Sequence, residues 1–528
     1  MRHSKIFLLT AFILCFQLGF GQKISPINRF LDQPGMEHAS FSCLVTETST
    51  GKTIGKYQPD VQLTPASVLK LLTTATALEL LGETYRFPTT ISYDGTIANG
   101  VLNGNIYIQG HGDPTLGSSH FAPESETFLK EWKDAIRQEG IREIKGAIIA
   151  DESIFDNEGI SMKWLREDLG SYYGAGSYGL SFHDNLYSLY LNSGATGTRP
   201  TLVRTEPEMD LDFHNYLKAA ATKSDSSFIV GMPFSNERYL YGIVPANRQS
   251  YRLKGDIPDP ALFLAQYIQK ELERDGISVQ KEATCYRLLY EKNAWKPGKR
   301  TEIITTYSPT LQQIVEKTNH VSHNLFADAL LKTIGLRYKN PQKHVISSFG
   351  KGIEVMKSYW KGKGLDVSSL RITDGSGLAP TNKVTARFLN DLLTYMVKSK
   401  HAEAFMSSLP QAGVEGSVRN FLKESSLSGK AFLKSGSMSG VRCYAGYVKN
   451  QGKTYSVVLL TNNYSMSSWT INRRLEQVLI GLFGQENTML RQEIEEFLLI
   501  IIRNRNIFFS KHNAIALDNF NLLRLDNE

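Results

Sequence analysis

The chain has 528 residues, 41% of them hydrophobic and 21% charged, and a formal net charge of +7. That balance excludes a disordered or fibrous chain, and the length exceeds one ordinary core, so two to four domains are expected. The chain shows no Lys/Arg-rich run of the kind that marks nucleic-acid binding, so no nucleic-acid partner is expected.

The first residues read Met1-Arg2-His3-Ser4-Lys5, then an apolar run from Ile6 to Phe20, then Gly21-Gln22. A basic start, a short apolar core and small residues predict a signal peptide over residues 1–21 and a periplasmic protein. A retained N-terminal anchor is the alternative. Cys15 follows Leu14 rather than a small residue, which argues against lipidation. Cleavage would lower the net charge to +5. Cys43, Cys285 and Cys443 would remain. Their odd count and wide spacing suit small buried hydrophobes better than a disulfide framework or a metal knuckle. One disulfide stays open, and sequence cannot pair it.

Phe41–Val45, the break at Ser49-Thr-Gly-Lys52 and Thr53–Tyr57 predict strand, turn and strand. Pro65 and Gly82 bracket a Leu/Ala-rich helix with Ser67 in its first turn. From 85 to 302 the texture changes to short β-like runs with many glycines, which predicts an inserted and composite region. Helical periodicity returns at Thr310–Asn319 and Asn324–Leu336. Strands are expected at Lys430–Lys434, Val441–Lys449 and Ser456–Thr461, with a tight turn before the last, and a helix at Ser468–Phe483. The fold class is therefore α+β: an antiparallel sheet flanked by helices, from residues 22–84 and 303–484, interrupted by a large β-rich insertion at 85–302. Residues 485–528 form an extension. Its apolar run, Phe497–Ile502, is too short to span a membrane, leaving a loosely ordered tail or a helix packed on the body or on a membrane surface.

Three short motifs stand in fixed order: Ser67-Val-Leu-Lys70, Ser322-His-Asn324 and Lys434-Ser435-Gly436. Each alone is weak. Ser-x-x-Lys recurs at Ser49–Lys52, Ser278–Lys281, Ser348–Lys351 and Ser358–Lys361. Only the match at Ser67 opens a helix after a strand pair. There the spacing puts both side chains on one face, at an end that favours a developing oxyanion. Taken singly, Ser67 and Ser322 read as helix caps and Lys434 as a solvated edge-strand lysine. On the strand, Gly436 would let a ligand approach the backbone. No His-Glu-x-x-His is present, and His111-x-Asp113 is an isolated pair, so no metal or other cofactor is expected.

In combination the motifs resemble the penicilloyl-serine transferase superfamily, and within it the D-alanyl-D-alanine carboxypeptidase/endopeptidase family of class C low-molecular-mass penicillin-binding proteins. The 255 positions between Ser67 and Ser322 match that family's inserted domains. Gly110-His-Gly-Asp-Pro114, Tyr173-Gly-Ala175 through Leu180-Ser181 to Asn185, Asp374-Gly-Ser-Gly-Leu378, and Leu409-Pro-x-Ala-Gly413 with Gly416 resemble further family blocks. Lys-Ser-Gly replaces the commoner Lys-Thr-Gly, His323 fills a variable position, and Ala379-Pro380 stands where relatives often carry Ser-Arg. The likeness covers about residues 27–484.

The resemblance implies a β-lactamase/transpeptidase-like catalytic domain acting on peptidoglycan stem peptides, with β-lactams as covalent inhibitors. It implies that Ser67 attacks the D-Ala–D-Ala carbonyl with Lys70 as base. Such a base needs a pKa below the usual lysine value, which a second cation, Lys434, in a desolvated cleft would supply. Ser322 would bridge the lysines and protonate the leaving D-Ala. Asn324 would orient Lys70 and the substrate amide, and Lys434 and Ser435 would hold the terminal carboxylate. The N–H groups of Ser67 and Ser437 would form the oxyanion hole. A serine β-lactamase and a catalytically silent wall-binding module are the rival readings.

Overall fold

A computed structural model describes residues 25–340 and 344–484. The predicted signal peptide, the 485–528 extension and its suggested membrane contact lie outside them.

Strands from far apart in the chain share one sheet. β1 (Ser40–Glu47), β2 (Thr53–Tyr57), β3 (Ala431–Met438), β4 (Val441–Asn450) and β5 (Lys453–Asn462) run in the order β3-β4-β5-β1-β2. Every pairing is antiparallel. β1 is buried at every residue after Ser40. It is covered on both faces, so its apolar run only loosely alternates. The β4–β5 hairpin turns through Gln451 and Gly452 at φ 50° and 73°, the left-handed pair that matches strand twist.

A 3-10 turn (Ala66–Leu69) runs into α1 (Lys70–Leu81), which ends where Gly82 takes φ 86°. α2 (Leu311–His320) starts on a capping box of Thr310 and Gln313, and α3 (Asn324–Gly335) follows one turn later. α1 is buried from Lys70 through Leu78, and α3 from Leu325 to its end. Helices buried all round are central to a core rather than laid upon it. Leu72, Leu330, Trp360 and Val458 pack in that core. Fully burying each such side chain contributes roughly 2 kcal/mol.

Two helices escape the periodicity of the sequence, Ser348–Gly362 and Ala386–Met396. The first carries three glycines, which weaken helix propensity. At Gly352 a side chain would lie 2.2 Å from the Leu331 carbonyl oxygen, so close packing on α3 outweighs propensity.

Between residues 88 and 307 the described chain forms four further sheets. One core gathers Ile106, Ile108, Trp132 and Leu264, and a second gathers Leu189, Leu191 and Leu240. Helices Phe128–Gln138 and Pro260–Arg274, not expected from the glycine-rich texture, cover the first. Strand Thr301–Tyr307 pairs with Pro88–Tyr93, so that sheet continues past residue 302. The fold is α+β, with no described helix long and apolar enough to cross a membrane. Cys43, Cys285 and Cys443 are buried free thiols, and burial pushes all three up.

Candidate active site

Ser67 lies on the 3-10 turn, capped by Pro65 without a side-chain bond, so its hydroxyl is not consumed as a helix cap. Lys70, one turn on, is fully buried. Its Nζ donates to Ser67 Oγ at 3.0 Å, to Asn324 Oδ1 at 2.6 Å and to the Ser376 carbonyl at 2.6 Å. Asn324 Nδ2 donates to the Tyr173 carbonyl at 2.8 Å, which fixes the amide orientation. The chemistry follows from counting protons. A neutral lysine has two N–H bonds and one lone pair. Asn324 Oδ1 and Ser376 O can only accept, so they take both protons and leave the lone pair facing Ser67 Oγ.

Burial lowers the pKa of Lys70, while the carboxylates of Asp328 and Asp374 oppose that shift. Of the two causes expected, a desolvated cleft and the second cation Lys434, desolvation supplies the depression. Lys434 is itself lowered well below the lysine range, by burial and then by Lys70. Asp328 is raised, by burial and then by Asp374. Its Oδ1 accepts from the Gly375 and Ser376 amides at 2.7 and 2.9 Å. Asp328→Asn keeps an acceptor there but removes a charge that holds the proton on Lys70. The rising limb of the acylation–pH profile should move to lower pH, on the order of one unit. Stopped-flow acylation by a chromogenic β-lactam measures it; an unmoved or upward-shifted limb refutes the sign.

Ser322 sits on the turn between α2 and α3 at φ 61°. The residue at the α3 cap is His323, and it makes no capping bond. Ser322 Oγ accepts from Lys434 Nζ at 2.9 Å. It was expected to bridge both lysines; here it meets Lys434, while Lys70 is committed to Ser67, Asn324 and Ser376. Lys434 lies on edge strand β3 yet is fully buried, so it is not a solvated edge lysine. It also donates to the Ser435 carbonyl at 2.8 Å. Ser435 Oγ donates to Ser417 Oγ at 2.9 Å. Ser437 is exposed and pairs with Arg442 of β4. Gly436 was expected to admit a ligand. A Cβ there would lie 2.5 Å from the Pro65 carbonyl oxygen, so glycine also lets β3 close on the Ser67 turn.

Sequence reasoning gave no role to Asp328, Asp374, Ser376, Tyr173 or Ser417. Asp374 Oδ1 accepts from the Gly377 amide and Asn382 Nδ2, both at 2.8 Å. Its Oδ2 accepts from the Ala379 amide at 2.7 Å and Trp164 Nε1 at 2.9 Å. That knot shapes the loop presenting the Ser376 carbonyl to Lys70. The Asp-Gly-Ser-Gly-Leu pattern was the available signal. The other Ser-x-x-Lys matches include Ser49, which bonds Glu47, and Ser348, which accepts from the Asp156 amide.

A serine hydroxyl facing a desolvated lysine, at the start of a helix packed beside an antiparallel sheet, is the equipment of a serine peptidase. The chain belongs to the D-Ala-D-Ala carboxypeptidase 3 (S13) family, whose model matches residues 24–479. A D-alanyl-D-alanine carboxypeptidase of Actinomadura sp. (strain R39) is 26% identical over 452 residues, covering 83% of this chain and 80% of the relative. D-alanyl-D-alanine carboxypeptidase DacB of Haemophilus influenzae is 24% identical over 441 residues, covering 82% and 88%. The crystal structure of penicillin binding protein 4 (dacB) from Haemophilus influenzae has the same fold, with a TM-score of 0.71 at 22% identity over 86% of this chain and 97% of that one.

Proposed function

We propose that the protein removes the terminal D-Ala from peptidoglycan stem peptides through an acyl-enzyme on Ser67. The observation that carries this reading is the three-way coordination of Lys70 Nζ, in which the neutral lysine, its two protons taken by Asn324 and Ser376, turns its lone pair to Ser67 Oγ. Neutral Lys70 takes the Ser67 proton as the oxygen attacks the penultimate D-Ala carbonyl. The Ser67 and Ser437 amides receive the oxyanion, a contribution worth roughly 100- to 1,000-fold per donor. Ser322 passes its hydroxyl proton to the departing D-Ala amine and takes one back from Lys434, to which it is bonded. Once Lys70 has shed the Ser67 proton to solvent, it takes one from the attacking water, and the acyl group leaves as Ser67 recovers its proton. The substrate carboxylate meets Lys434 and the Ser435 hydroxyl, and its charge opposes the downward shift that burial imposes on Lys434. Asn324 positions Lys70 and the substrate amide.

β-Lactams, which place a strained amide beside a carboxylate, acylate the same serine. Penicillin binding protein 4 (dacB) from Haemophilus influenzae has a crystal structure in complex with a novel β-lactam. The catalytic body comprises the segments before residue 85 and after residue 307, with the region between them inserted. Export by a cleaved signal to the periplasm places the enzyme beside its polymer, and the 485–528 extension would add contact with the membrane surface.

Purified mature protein, incubated with a pentapeptide ending in D-Ala–D-Ala, should release one D-Ala per peptide, read by mass spectrometry. Cleavage of cross-linked dimers without that release would make it an endopeptidase instead. Rapid turnover of a chromogenic cephalosporin with no stable adduct would make it a β-lactamase.

A further inference from the structure

Apart from the lysine–serine cluster, three side chains from distant positions converge: His120, Asp184 and His323. One ligand-capable atom of each lies within 4.8 Å of the others, and this is the one such group among the described residues. His120 stands on the short turn Ser119–Phe121. Asp184 lies in a segment where His183, Asp184 and Asn185 take φ of 56°, 57° and 54°. Left-handed backbone costs roughly 1 kcal/mol or more for each such non-glycine residue, so the surrounding fold must impose it.

One buried polar atom aimed into this trio has no hydrogen-bond partner, Asp184 Oδ1. Asp184 Oδ2 is occupied, accepting from the Ser119 amide at 3.3 Å and the Ser119 hydroxyl at 3.2 Å. Oδ1 faces His323 Nε2 at 3.7 Å, too long for a hydrogen bond. The His323 ring is stacked on Phe326 at 3.9 Å and meets the edge of His120 at 5.1 Å. Buried polar atoms are seldom left unpaired, and an ion is one of the standard reasons. Ligands about 2.0–2.1 Å from a tetrahedral ion sit roughly 3.4 Å apart. The Asp184–His323 spacing is near that value, and a rotation of the half-exposed His120 ring closes the rest.

We propose that His120, Asp184 and His323 form a binding site for a divalent transition-metal ion of the zinc class, with the fourth position open to water. Two imidazoles and one carboxylate suit zinc or cobalt rather than magnesium or calcium, which prefer all-oxygen shells. His323 stands between Ser322 and Asn324. The ion therefore ties the turn bearing those two residues to the segments around Ser119 and Asp184. It holds that turn in place and touches no reacting atom.

The test is calorimetric titration of zinc sulfate into chelator-treated mature protein. The wild type should bind one ion. His120→Ala and Asp184→Asn should each weaken binding by about tenfold or more. His214→Ala should leave it unchanged, since His214 pairs with Glu237 elsewhere on the exposed surface. Substituted cobalt should give the visible absorption of a tetrahedral site, lost in the same two variants, with thermal melts verifying that both are folded. Zinc that fails to bind folded wild type, or binds both variants equally, overturns the proposal. Neither readout uses peptidase activity, so the result is independent of the acyl-enzyme mechanism.

Discussion

Replacing Ser67 by alanine should abolish labelling by fluorescent penicillin and lower D-Ala release by roughly six orders of magnitude, the scale on which serine hydrolases lose activity with their nucleophile. No neighbour is placed to substitute. Lys70 is aimed at position 67 by Asn324 and Ser376, and the Ser322 hydroxyl is engaged by Lys434. The fold should hardly notice. Ser67 caps nothing, and the loss of one half-buried hydrogen bond is worth about 1 kcal/mol. The pairing of a near-unchanged melting temperature with an absent adduct by intact mass is the outcome to look for. Labelling that persisted in the variant would show that another residue carries the acyl group.

The second large effect belongs to Asp374, which touches no substrate. Asp374→Ala leaves four donors without their acceptor: the Gly377 and Ala379 amides, Asn382 Nδ2 and Trp164 Nε1. Orphaned buried donors cost about 1–3 kcal/mol each before relaxation, so a net loss of about 3–5 kcal/mol is expected in denaturant unfolding. The same change frees the loop that aims the Ser376 carbonyl at Lys70. The lysine lone pair then wanders, and the labelling rate of the folded fraction should fall about 100-fold, as small misplacements do in preorganised sites. Asp374→Asn keeps part of the knot and should fall between. A stability change under 1 kcal/mol with unchanged labelling would refute the positioning role.

These two residues mark the boundary of what the sequence discloses. Ser67 and Lys70 are three positions apart on one helical turn, so local geometry alone brings them together. Lys434 was legible as a member of an ordered trio. Its burial followed only from the family resemblance and not from the strand itself, because the sheet edge it occupies is closed by the Ser67 turn through the tertiary approach that Gly436 allows. Asp328 reads as one more polar residue in a helical stretch; its position beside Lys70 depends on α1 and α3 packing. Asp374 and Ser376 were visible as a pattern without a role, since the role consists of bonds to Trp164, Asn382 and Lys70. The loss of period-two alternation in β1 has the same origin. A strand covered on both faces reads as an apolar run, and nothing local says what covers it.

The position of β1 within its sheet also fixes a schedule. Its Thr46 bonds Ser456 of β5, 410 positions later. At roughly 5–20 residues per second of synthesis, about 20 to 80 s separate the making of the two strands. For that interval the first-made strands lack the neighbour that completes them, and the strand bearing Lys434 is also among the last produced. Assembly of the lysine pair is thus deferred until nearly the whole described chain is made. A peptidase organised in this way has no competent centre while it is being produced.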